Sequence, residues 1–195
     1  MRLVERGLDR RVVIEAYARY DCSKKGRTIP DFATWDWSQA NGIDEAMRRA
    51  ELKTGVPAGY LLWDKVELTL SDLRDCAVFA EIFPAQPQKL GLIEEAGQLV
   101  RWRCDPARPW CQEIISGHTL DEAAPLLLRP AVKSESPASL YIEDGSGRAI
   151  TLVANQDKFS CSQTLAIGFL GSKPDRSSAF MQQHFRELLN VVHQE

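Results

Sequence analysis

Apolar and polar positions along the chain follow two rhythms, one of three to four residues and one of two. Asp9 to Tyr20 carries the first, with Val13, Ala16, Tyr17 and Tyr20 on one face, and reads as an amphipathic helix. Asn41 or Asp44 can cap a second helix over Glu45 to Lys53, ended by Thr54-Gly55-Val56-Pro57. Beyond it the rhythm shortens. Tyr60–Trp63 and Val66–Leu70 read as strands, and Ser71 to Asp75 caps a helix or turn carrying Cys76 to Phe83. Leu90 to Arg103 fits a helix or a hairpin, and Cys104 to Trp110, with two prolines, reads as a loop. Thr119 and Glu122 have the spacing of a capping box, which predicts a short helix over Gly117 to Ala124. Leu126–Arg129 and Leu140–Ile142 are two short apolar runs, predicted to be neighbouring strands of one sheet. A helix over Ala149–Asn155 follows, then a strand over Thr164–Leu170 and a terminal helix over Ala179–His193. Irregular alternation of strands and helices predicts an α+β fold with a mixed sheet and flanking helices. A helical N-terminal extension, 1–58, would precede an α+β domain, 59–195.

Composition narrows the class only modestly. The 195 residues are 44% hydrophobic and 26% charged, which suits a globular protein with one well-filled core. A net charge of −3 offers no global attraction for nucleic acid or anionic lipid. No apolar run reaches the length of about 20 residues that spans a bilayer. The opening Met1-Arg2-Leu3-Val4-Glu5-Arg6 becomes charged too early for a signal peptide, so a cytoplasmic protein is expected. Cys22, Cys76, Cys104, Cys111 and Cys161 are odd in number and lack zinc-ligand spacing; reduced thiols, no disulfide and no metal are expected. Phe32, Trp35 and Trp37 are expected to anchor an irregular segment on a core.

Candidate chemistry gathers between Pro125 and Asn155. Glu143-Asp144-Gly145-Ser146-Gly147-Arg148 joins a strand to a helix, an arrangement that aims backbone N–H groups and a helix N-terminus at one point and so favours an anion. Arg148 adds a planar donor fork. Gly145, Ser146, Gly147 and Arg148 are thus the candidate phosphate-binding residues. Glu143 and Asp144 are candidates for a Mg²⁺ ligand or general base. Arg129 ends the preceding strand, and His118 is the one histidine near this stretch; both are further candidates. The same residues also suit a tight connection in which the glycines turn the chain and Asp144 caps it.

The order strand-Arg-Pro, loop, strand-Asp-Gly-x-x-Arg-Ala, helix resembles the core of the ParB/sulfiredoxin-like superfamily. Leu126 to Pro130 matches the first element of that pattern and Tyr141 to Ala149 the second, and the likeness covers about residues 60–160. It implies a compact α+β fold whose box binds the phosphates of ATP, ADP or CTP, with Mg²⁺-dependent phosphoryl chemistry among the family's activities. Two departures stand out. Sulfiredoxins carry Cys-His where this chain has Ser146-Gly147, and partition proteins carry a more basic box followed by a helix-turn-helix domain. Fold likeness alone transfers no function. Three readings therefore stay open: a nucleotide- or phosphate-binding protein, an interaction protein that has lost the ligand site, and a nucleic-acid-binding module, disfavoured by the acidic balance.

Overall fold

The computed structural model describes residues 1–35, 59–78, 91–93, 109–131 and 138–176. The expected helices over 45–53 and 179–193, and Trp37, lie outside these residues. Strand β1 (Arg2–Asp9) leads into α1 (Arg10–Lys24). Strand β2 (Tyr60–Leu68), α2 (Leu70–Arg74), β3 (Cys76–Val78) and β4 (Gly91–Leu92) follow. Then come α3 (Pro109–Ile115), β5 (Leu126–Pro130), β6 (Leu140–Asp144), α4 (Ser146–Ala154) and β7 (Ala166–Pro174). The strands form one mixed sheet in the order β1-β2-β7-β5-β6-β3-β4. The α+β class read from the sequence holds. No helix among the described residues is long and apolar enough to cross a membrane.

The chain divides into two compact units. The first comprises Met1–Glu5 and Lys65–Leu170, the second Arg6–Asp64 and Gly171–Glu195. In the first unit β5 lies between β6, to which it is antiparallel, and β7, to which it is parallel. Strand β6 in turn runs parallel to β3. The expected neighbours Leu126–Arg129 and Leu140–Ile142 thus lie in adjacent strands, with Leu128 opposite Ile142 and Arg129 opposite Tyr141. The core of this unit joins Leu126, Leu128 and Ile142 from the sheet to Ala149, Ile150, Leu152 and Val153 of α4 and Ile114 of α3. Six consecutive residues of α4, Arg148 to Val153, are buried, so this helix is a central strut rather than a surface layer.

In the second unit α1 buries Val13, Ile14, Tyr17, Ala18, Asp21 and Cys22. The predicted helix is present, with its buried face rotated by one position: Ala16 and Tyr20 stand at the margin. Asp9 caps its start by accepting from the Arg11 amide at 2.8 Å. Phe32 is buried and meets Trp35 edge-to-face at 4.9 Å, the anchoring role expected of these aromatics.

Several elements differ from their sequence reading. Arg2–Asp9 is a strand, where the sequence reading assigned no element before the helix at Asp9; four charges in eight residues hide its pattern. Tyr60–Leu68 is one strand, where two were expected. The helix at Ser71 is real but short, capped by a Thr69–Asp72 box, and Cys76–Val78 is a strand. No helix forms over Gly117–Ala124. There the Leu120 amide donates to the Leu165 carbonyl at 2.8 Å, and Asp121 accepts from the Ala123 amide. Those bonds draw the backbone into an extended path and an Asx turn, which outcompete a helix of two turns.

Candidate functional site

The turn at 143–148 is built by a change of backbone direction. Strand β6 pairs with β5 through a register shift between Leu127 and Leu128, so that Asp144 comes opposite Leu127 while Ile142 faces Leu128. Glu143 is the extra residue, and such a bulge bends a strand and redirects its side chains. Gly145 then takes φ +96, a conformation open to glycine at little cost. A Cβ there would overlap Leu126 and stand 2.7 Å from Arg148 Nη2, so the space is closed as well. Helix α4 begins at once with Ser146, three residues before the expected start. Half of the predicted turn is therefore the first turn of a helix.

The candidate carboxylates face candidate arginines. Arg129 is buried, and its Nε donates to Glu143 Oε1 at 2.6 Å while its guanidinium lies 4.2 Å from the centre of the Tyr141 ring. Arg148 is 2% exposed; its Nη2 donates to the Pro125 carbonyl at 3.0 Å and to Asp144 Oδ2 at 3.1 Å. Two cation–carboxylate pairs thus bracket the bend, one on each strand-end residue. Each arginine ties β6 or α4 back to β5. The pairing of Arg148 with Asp144 gives the motif's arginine a structural partner in the same loop.

The start of α4 has a different character. Its N-cap is a glycine, no side chain accepts from its first amides, and no acidic residue lies in its first turn. Orphan amides at such an end carry a partial positive charge. Gly147 is exposed, and Ser146 half-buried. A Cβ on Gly147 would come within 3.7 Å of the Trp110 ring, an ordinary contact. Trp110 belongs to α3, which packs on α4 and was read as loop and unassigned chain. Its proximity to the turn had no signal in the sequence.

His118 is exposed, and its Nδ1 lies 3.2 Å from the Glu113 carbonyl at the end of α3. Its contact is with α3 and not with the turn. Among the described residues no group of three or more His, Cys, Asp and Glu is arranged to hold a metal ion. Cys22 and Cys76 are buried free thiols and Cys161 an exposed one. Burial, with Asp75 and Asp72 nearby, pushes the Cys76 thiol up to about 12. Cys111, by contrast, is in a disulfide, which corrects the expectation of five reduced cysteines. The remaining cysteine, Cys104, lies outside the described residues.

No family model, curated protein or solved structure matches this chain.

Proposed function

We propose that the chain binds a phosphate-bearing small molecule, of the class of ATP, ADP or CTP, at the N-terminus of α4. The observation that carries this reading is the nine-residue helix beginning at a glycine, without a side-chain cap or first-turn acid, beside an exposed Gly147. In this reading the amides of Ser146 and Gly147 donate to the anion, and the helix end supplies favourable potential. Arg148 acts as a positioning residue: held by Asp144 and the Pro125 carbonyl, it fixes the turn. Glu143 and Asp144 are each engaged by an arginine through one carboxylate oxygen, so the proposal takes the form of binding, with no phosphoryl transfer assigned to them. A ParB/sulfiredoxin-like ancestry would agree with a phosphate at this place.

A second reading is a non-enzymatic interaction protein that keeps the turn without a ligand. The two arginine–carboxylate pairs favour it, because they give the motif a purely structural use.

Gly147→Asp separates the two. An acid in the first turn is worth about 0.3–1 kcal/mol to a helix, and a Cβ at Gly147 meets only an ordinary contact with Trp110. The melting temperature should hold or rise while a phosphate ligand is repelled. Thermal shift and calorimetry with ATP, ADP, CTP and inorganic phosphate, with and without Mg²⁺, check this; wild-type ligand at about 100 times its Kd stabilises by about 2.7 kcal/mol. No stabilisation of the wild type by any of them would leave the interaction reading standing.

A further inference from the structure

Helix α1 ends in a way that fixes the chain beyond it. Gly26 takes φ +62 just past the last turn; its amide donates to the Ser23 carbonyl at 3.1 Å, and the Arg27 amide donates to the Cys22 carbonyl at 2.9 Å. Such a glycine-centred cap satisfies the last carbonyls of a helix and turns the chain back. The returning chain is fastened again at a single 3-10 turn, Phe32–Thr34, which Asp31 caps by accepting from the Ala33 amide. Phe32 is buried there beneath Arg19, whose guanidinium carbon lies 5.0 Å from the ring centre, and Trp35 packs edge-on against it. Residues 23–29 are exposed without a break, and Lys24, Lys25 and Arg27 are among them. Arg19 is exposed as well, while Tyr20 and Trp35 are half-buried. Lys24 Nζ stands 5.8 Å from the centre of the Tyr20 ring. The one carboxylate between residues 19 and 29, Asp21, is buried and holds Lys25 Nζ at 2.6 Å.

Cations at a helix C-terminus complement its dipole, and that accounts for Lys24 and Lys25. It does not account for Arg19, more than a turn earlier, for Arg27, beyond the cap, or for the two half-buried rings set among them. We propose that this surface binds single-stranded nucleic acid, with Arg19, Lys24 and Arg27 toward the phosphates and the rings of Tyr20 and Trp35 toward the bases. Cations that follow a backbone, with aromatic side chains on which bases stack, are the two components of such a site. A duplex is the poorer fit, because its bases are stacked on one another and offer no faces to the rings. An anionic bilayer is also the poorer fit. Basic clusters that hold to one carry about four to eight Lys and Arg. Here Lys25 is engaged by Asp21, and Ile29 is a single exposed apolar side chain beside the cations. The net charge of −3 supplies no long-range attraction, so the contact is local and sensitive to salt. Residues 19–35 belong to the second compact unit, and the inference stands apart from the phosphate reading of α4.

The test is fluorescence anisotropy of the full chain with labelled oligothymidylate and oligouridylate of about 12 nucleotides, with a duplex of the same length and phosphatidylserine vesicles as competitors. Single strands should bind at low salt, with a slope of log affinity against log salt of about −2, as three phosphate contacts at about 0.7 each require. Lys24→Gln and Arg27→Gln, both at exposed positions, should each reduce that slope by about 0.7 while the melting temperature holds. Tyr20→Leu should weaken binding about tenfold at every salt concentration and leave the slope unchanged, as a lost stacking contact does. The two charge variants decide the inference by themselves where Tyr20→Leu lowers the melting temperature. Equal affinity for the two oligonucleotides supports the inference as stated, and tighter binding of oligouridylate supports it with a contact to the 2′-hydroxyl added. No binding of either at low salt overturns it, as does tighter binding of the duplex or the vesicles. A slope unchanged in both charge variants also overturns it, since the strand would then be held elsewhere on the molecule.

Discussion

At the scale of single residues, Arg148 carries the tension between site and scaffold. A guanidinium aimed at a ligand would be dispensable to the fold; one buried against a carboxylate and a carbonyl is not. Removing one partner of a buried pair strands the other, at a cost of about 3 kcal/mol. Arg148→Ala should therefore lower the unfolding free energy by that amount, read from the shift of the urea midpoint, and Arg148→Lys, a point donor without the fork, should recover only part of it. A midpoint within error of wild type would mean that the guanidinium is free to serve a ligand directly. The identity of this residue and its place after a glycine turn were legible in the sequence. Its partner was legible only as one of several options, because Asp144, Glu143 and a solvent anion all satisfy the same local pattern. The Pro125 carbonyl, 23 residues away along the chain, is a tertiary contact with no local signature.

Among elements, those read correctly have either long periodicity or a hard stop. Helix α1 shows three turns of apolar rhythm, and β5 and β6 are short runs closed by Pro130 and Gly145. Those missed are short elements decided by pairing: β3 has three residues and finds its state only beside β6. The same holds for the supposed helix at 117–124, whose box is present but whose amides go elsewhere. Helix α2 shows a box that works. Thr69 Oγ1 accepts from the Asp72 amide, and Asp72 Oδ2 accepts from the Thr69 amide at 2.8 Å. Burial pushes the Asp72 carboxyl up, but the Met1 amino group and Thr69 outweigh it and hold the carboxyl below its usual range. A carboxylate held low lends stability above its ordinary titration range, and that stability fades as pH falls through its folded value. Asp72→Asn should thus cost about 1 kcal/mol at neutral pH, as lost helix caps do, and nothing in strong acid. Urea midpoints of the two proteins, converging as the pH is lowered, check the sign.

For the whole molecule, the sheet order explains why the boundary expected at residue 58 is a poor place to cut. Strand β1 supplies Met1–Glu5 to the first unit, where Arg2 donates to Glu67. The second unit draws on Arg6–Asp64 together with the segment after Gly171, where Arg10 pairs with Asp175 at 3.4 Å. A fragment 59–195 discards β1, α1 and most of the second unit. It should show no cooperative melt by circular dichroism, whereas the full chain should; a sharp transition in the fragment would establish an independent domain there. Long-range strand order of this kind was closed to sequence reading, since β1, β2 and β7 meet from opposite ends of the chain.

The backbone passes from one unit to the other three times, after Glu5, after Asp64 and after Leu170. That threading bears on heredity as much as on folding. No single crossover between two genes could transplant either half intact, and no single duplication or fusion event could have added one to the other end to end. Nor does one insertion of either half within the other account for the threading, since a single insertion gives two passages and this chain makes three.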